Sequence, residues 1–237
     1  MTVIRIPLDG EISGSFIYGE VRFPSNPKGL VIFAHGSGSN INSSRNRYVA
    51  QVLNENGYAT ILADLLTQEE QQSDMKSQKI LDKYPGIVLN KFNIQLLSNR
   101  LVLITKWIIN NTHEVIGLPI GYFGASTGAA AAIEASLSPS LSEKLYTMIS
   151  RGGRPDLARS ESIRNVKVST LLIVGEKDSK QVVELNRKIF KQMKNSRYKE
   201  FVVIPHAGHL FEEANTIEHV ANVSTQWFNR FLEKKWV

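Results

Sequence analysis

The sequence predicts an α/β fold: a mostly parallel central sheet with helices on both faces. Two observations carry the prediction. Short apolar runs such as LVIFA, ATILA, IGYF and TLLIV alternate with longer segments of helical period. The chain has 237 residues, 42% of them hydrophobic, enough to bury one sizeable core, and it contains no internal repeat or low-complexity linker. One domain over 1–237 is therefore expected.

The elements follow in order. Val3–Leu8 and Ile12–Arg22 alternate weakly across Asp9-Gly10 and read as an antiparallel hairpin at one edge. Leu30–Ala34 is a buried strand ending in HGSGS. Asn46–Asn56 reads as a helix stopped by Gly57, and Ala59–Ala63 is the next buried strand. From Thr67 to about Asn93 the chain is polar, with one possible helix and a break at Pro85-Gly86; it reads as a surface excursion near the pocket. Gln95–Ile109 carries Leu96, Leu97, Leu101, Ile104, Trp107 and Ile108 at helical spacing, an apolar stripe expected to pack on the sheet. Ile120–Gly124 is a strand feeding an alanine-rich helix, Gly128–Leu137. Strands are expected at Leu145–Ile149, Thr170–Val174 and Glu200–Ile204, and helices at Lys180–Met193 and Thr216–Lys235.

Composition removes several classes of chemistry. With no cysteine, disulfides, thiolate catalysis, cysteine-ligated zinc and iron–sulfur clusters are excluded. The start lacks a secretory pattern and no apolar run is long enough to cross a bilayer, so a cytoplasmic location is expected. The net charge of +6 comes from scattered lysines and arginines, in short clusters such as Arg45 with Arg47. That pattern describes a basic solvated surface, with neither nucleic acid nor membrane as partner.

The chemistry concentrates at strand ends. Gly124-Ala125-Ser126-Thr127-Gly128 matches G-x-S-x-G between a strand and a helix. A serine nucleophile must stand clear of the backbone in a sharp turn, and flanking glycines remove the side chains that would collide there. His35-Gly36-Ser37-Gly38-Ser39 follows an earlier strand and can supply one oxyanion donor. The candidate donors are the Ser37 and Thr127 N–H groups. The loop lacks the Lys-Ser/Thr ending of a phosphate-binding P-loop.

Asp178 in Gly175-Glu176-Lys177-Asp178 is the candidate acid, with Glu176 as rival and helix capping as its other possible role. His209 in Pro205-His206-Ala207-Gly208-His209 is the candidate base, with His206 as rival. His206 and His209 lack a nearby third ligand, so no metal is expected, and no cofactor is needed. The order Ser126, Asp178, His209 suits a nucleophile, acid and base gathered at the carboxyl edge of one parallel sheet.

These stretches resemble the α/β-hydrolase superfamily and, within it, the dienelactone hydrolase-like group. The closest likeness is to a bacterial branch with some members fused to a phosphoribosyltransferase. The resemblance rests on FAHGSGS with SRNRYVA, ADLLTQEE, FNIQLLSNRL, GYFGASTGAAAA, SRGGRPDLA, TLLIVGEKD and HAGHLFEE, spanning about Leu30 to Glu213. It implies a serine hydrolase, since Ser126 stands where dienelactone hydrolases proper carry cysteine; this argues against dienelactone itself as substrate. No phosphoribosyltransferase segment is found, and Met75–Lys91 is longer than the branch leads one to expect.

The expected reaction is hydrolysis of a small carboxylic ester. Thioesterase, amidase or transacylase activity on the same site, and a non-catalytic binding protein of the same fold, are the alternatives. Arg151 and Arg154 in SRGGRPD, read as a loop, have two possible roles. They can bind a substrate carboxylate or phosphate, or they can tie the loop to Asp156, Glu212 or Glu213.

Overall fold

The computed structural model describes residues 2–8, 14–81, 83–84 and 86–232. The Asp9-Gly10 turn, Pro85 of the expected break and residues 233–235 of the expected last helix lie outside the described residues. Among the described residues one sheet contains β1 (Thr2–Pro7), β2 (Phe16–Arg22), β3 (Leu30–Ala34), β4 (Ala59–Ala63), β5 (Ile120–Ala125), β6 (Leu145–Arg151), β7 (Ser169–Gly175) and β8 (Lys199–Ile204). Their spatial order is β1-β2-β4-β3-β5-β6-β7-β8. β1 pairs antiparallel with β2, and β2 with β4; every other pairing is parallel. The edge pairing and the parallel body are thus as the alternation predicted, with β2 starting at Phe16 and residues 12–13 of the expected strand outside the described residues.

The helices are α1 (Ser44–Glu55), α2 (Gln68–Gln78), α3 (Ile94–Asn111), α4 (Thr127–Ser136), α5 (Ser160–Asn165), α6 (Lys180–Gln192) and α7 (Thr216–Leu232). Successive strand residues point to opposite faces, so each central strand feeds two cores. Ile32, Ile61 and Tyr122 pack under α3 and α4, while Val31, Phe33 and Phe123 pack under α1 and α7.

Three differences from the sequence reading have local causes. Helix α1 begins two residues before Asn46 because Ser43 caps it, Oγ accepting the Asn46 N–H at 3.4 Å. Strand β6 continues through Ser150 and Arg151, which pair with Gly124 and Ala125 on one side and with Leu172 and Ile173 on the other. SRGGRPD therefore starts as strand, and only its later residues form a loop. Helix α5 was not expected, because six residues carry too little periodicity to read. Gly57 does end α1 as predicted, with φ of 85°.

The register places the functional edge. Ala34 stands beside Gly124, Gly124 beside Ser150, and Gly175 beside Ile204. The chain runs outward from β3 in both directions, toward β4 and toward β5. This strand-order reversal opens a crevice above the carboxyl ends, where such sheets bind ligands.

Candidate active site

Ser126 sits between β5 and α4 with φ 50° and ψ −121°. A left-handed serine costs about 1–3 kcal/mol and persists only when its surroundings enforce it. They do: its N–H donates to Arg151 O at 3.3 Å, and its carbonyl accepts from Arg154 N–H at 3.0 Å and Ala129 N–H at 3.1 Å. The flanking glycines are sterically required. A Cβ on Gly124 would stand 2.7 Å from Gly128 O, and one on Gly128 would overlap the Ala34 carbonyl oxygen. Ser126 itself is half-buried.

The loop after β3 lies against this serine. A Cβ on Gly36 would fall 2.8 Å from Ser126 Cβ and 3.5 Å from its Oγ. His35 fastens the loop from beneath: Nδ1–H donates to Gly36 O at 3.0 Å, and Nε2 accepts the Leu65 N–H at 3.0 Å. Burial pushes the His35 imidazole below its usual pKa, outweighing the Gly36 bond and the Asp64 carboxylate 3.9 Å away. Burial likewise pushes Asp64 up, against the Ile41 N–H it accepts and the facing His35. Ser37 and Thr127 both line the adjoining cavity. Neither backbone N–H has an acceptor among the described residues.

Asp178 and His209 meet directly, His209 Nδ1 lying 2.8 Å from Asp178 Oδ2. The other carboxylate oxygen of Asp178 accepts the Ser179 N–H at 2.7 Å, so the acid binds the imidazole and the start of α6 through different oxygens. The rival pair is turned away from the site. Glu176 accepts the His206 N–H at 2.8 Å, and the two side chains, 54% and 80% exposed, face solvent.

Among the described residues no hydrogen bond joins the Ser126 hydroxyl to His209. The imidazole nevertheless leans over the same turn: its Cε1 is 3.8 Å from where a Gly152 Cβ would stand, beside the Arg151 carbonyl that binds Ser126. Catalytic contacts of this kind often close only around substrate.

The arginines divide. Arg154 makes the expected structural tie, a bidentate pair with Asp156 at 2.8 Å and 2.9 Å. Arg151 reaches none of the three acids expected for it; it is buried and donates to Asn46 Oδ1 at 3.0 Å. Glu212 is instead held by Arg45 at 2.9 Å, and Glu213 accepts the Gly208 N–H at 3.0 Å. Arg45, which lines the cavity, and Asn46, which holds Arg151, were not singled out by the sequence reading. Their signal was position, in the first turn of the helix after HGSGS.

The described residues of the polar excursion 67–93 pack around the cavity. Thr67 and Glu70 form a capping box on α2. Buried Asp74 accepts the Asn90 and Lys91 N–H groups at 2.7 Å and 2.8 Å, drawing the returning chain onto α2. The cavity measures about 780 Å³ and runs from Gly36, Ser37 and Thr127 past Ser43–Arg45 to Met75, Lys79 and Lys91. Residues 151–162 do not line it. Among the described residues no cluster of three or more His, Asp or Glu gathers as for a metal. No described helix is long and apolar enough to cross a membrane.

Sheet order, crevice and serine turn define an α/β hydrolase. A family model described as the dienelactone hydrolase family matches residues 17–234, and the chain belongs to that family. It is similar to a dienelactone hydrolase from Anabaena variabilis, with 40% identity and a TM-score of 0.81, covering 97% of this chain and 99% of that one. It resembles Est1E from Butyrivibrio proteoclasticus in fold, with a TM-score of 0.73 at 14% identity over 96% of this chain and 98% of that one. A Mycobacterium tuberculosis protein named "Putative phosphoribosyl transferase" is 43% identical over 212 residues, 90% of this chain and 43% of its own length. The chain thus spans under half of the curated relatives it matches.

Proposed function

We infer that the protein hydrolyses small carboxylic esters through Ser126, His209 and Asp178. The observation that carries this reading is the 2.8 Å bond between His209 Nδ1 and Asp178 Oδ2 on the sheet edge that also carries the strained Ser126. With Nδ1 protonated and donating to Asp178, Nε2 presents a lone pair. Ser126 Oγ attacks the ester carbonyl carbon as Nε2 takes its proton. The new oxyanion is held by the Ser37 and Thr127 N–H groups, each contributing about 3–4 kcal/mol. Collapse breaks the ester C–O bond, and the imidazolium returns the proton to the departing alkoxide. Water then attacks the acyl-serine, giving a proton to Nε2, and the acid leaves as Ser126 recovers its hydrogen. Side chains, backbone and water suffice for every step.

A fluorophosphonate probe tests the reading. The wild type should label at Ser126 and Ser126→Ala should not; absence of labelling in folded wild-type protein would leave a binding protein with a hydrolase fold. Matched ester, thioester and amide substrates decide the acyl class, with the ester expected to turn over fastest.

A further inference from the structure

Arg151 is a buried cation and Arg45 a half-buried one, and both are short of partners. Arg151 is 5% exposed and, among the described residues, meets no carboxylate. Its Nη2 donates to Asn46 Oδ1, its guanidinium lies 5.6 Å from the centre of the Phe211 ring, and its Nε–H is buried with no acceptor. Arg45, next to Asn46, bonds exposed Glu212 through Nη1, and its Nε–H is likewise buried and unbonded. Burial first, and then the Arg45 charge, pushes Arg151 down to about 10. Burying a guanidinium without a counter-ion is strongly unfavourable, and placing a second cation beside it adds repulsion. Glu212 lies on the solvent side, where an ion pair contributes little.

Both arginines converge on the first turn of α1. Ser43 takes the Asn46 N–H through its hydroxyl and the Arg47 N–H through its carbonyl. The Ser44 and Arg45 N–H groups keep no acceptor among the described residues, and the turn carries no acidic side chain. Ser43, Ser44 and Arg45 line the cavity that Ser37 and Thr127 also line, and Lys79 and Lys91 add two cations to it. Asp74, the one carboxylate among the lining residues, is already engaged by two backbone N–H groups.

We propose that Arg45 and the first turn of α1, with the buried Arg151 charge behind them, form a phosphate-binding subsite, and that the ester cleaved at Ser126 carries a phosphate group. The proposal rests on the hydrolase reading above. The Arg45 guanidinium and two helix N–H groups without acceptors, backed by the Arg151 charge, offer more charge and more donors than one carboxylate can use. A phosphate monoester, with about −1.5 to −2 charge and three peripheral oxygens, matches them. Arg45 can exchange its exposed Glu212 contact for the ligand without leaving an orphan inside.

Three acetate esters of one three-carbon alcohol, ending in hydroxyl, carboxylate or phosphate, separate the possibilities. The phosphate ester should show kcat/KM about tenfold or more above both others. That ratio should collapse toward unity in Arg45→Gln and Arg151→Gln, and survive in Lys106→Gln on the exposed face of α3. Should Arg151→Gln fail to fold, Arg45→Gln carries the test. Calorimetry of inorganic phosphate against acetate on Ser126→Ala protein, at fixed ionic strength, reads binding without turnover. Phosphate should bind tighter than acetate, and lose about tenfold on adding Arg45→Gln.

Equal rates for the three esters with Ser126-dependent turnover, a preference for the carboxylate, or phosphate binding indifferent to Arg45 would each overturn the subsite. If no ester turns over and no probe labels Ser126, the hydrolase reading fails instead, and the phosphate titration still reports on the subsite.

Discussion

At the scale of single residues, the division of labour on Asp178 explains why this carboxylate and not Glu176 faces the imidazole. Its second oxygen is fixed by the Ser179 N–H, so the rotamer that meets His209 is already chosen. Asp178→Asn should keep the fold and lower kcat by about 10⁴-fold, because the amide favours the wrong imidazole tautomer. Ser126→Ala should cost about 10⁶-fold, both measured on a neutral nitrophenyl acetate. His35 gives a pH prediction. Its folded pKa lies below the unfolded 6.5, so as pH falls the unfolded chain protonates first and stability present above about 6.5 is lost below it. Between pH 7.5 and 5.5 the Tm of the wild type should therefore fall relative to that of His35→Asn, in paired melts. Ser126, Asp178 and His209 could be singled out as candidates because each follows an apolar run. Arg45 was not, since its meaning depends on Arg151, which reaches Asn46 across 105 positions of chain.

Among the elements, the serine turn was legible and the excursion was not, for opposite physical reasons. The turn is dictated by local sterics, which glycines announce: a Gly128 Cβ would lie 2.7 Å from the Ala34 carbonyl carbon. Gly128→Ala should destabilise by about 1–3 kcal/mol and slow turnover about 100-fold, as a displacement near 1 Å at the nucleophile would; denaturant melts and kinetics on one preparation check both. Helix α2, by contrast, buries only Asp74 and has almost no apolar face, so no periodicity marked it. Its local sign was Thr67-Gln68-Glu69-Glu70, a capping box, and its tertiary anchor is the Asp74 carboxylate on residues 90 and 91. Asp74→Ala should open residues 79–91 to limited proteolysis and raise KM for cavity-filling esters, while the main thermal transition stays in place.

Across the whole molecule, the alternation of buried strands with amphipathic helices made the parallel sheet readable, because burial on both faces leaves nearly continuous apolar runs. The extra length of β6 and the short α5 were hidden, since pairing and docking rather than composition set them. The covering of the α1–α7 face is also tertiary. Phe228 is fully buried, packs 6.0 Å from the Tyr58 ring and occupies the space a Gly121 side chain would need, its Cε1 2.6 Å from that Cβ position. Phe228→Ala should cost about 3–5 kcal/mol, lowering Tm by roughly 6–20 °C, while probe labelling of Ser126 at low temperature persists.

The double engagement of Asp178 bears on how the proposed activity would fail when the protein is heated. Loosening the first turn of α6 frees one carboxylate oxygen and, with it, the orientation of the imidazole, long before the sheet itself gives way. Loss of turnover should therefore precede loss of circular dichroism on warming, making catalysis the more sensitive gauge of the native state.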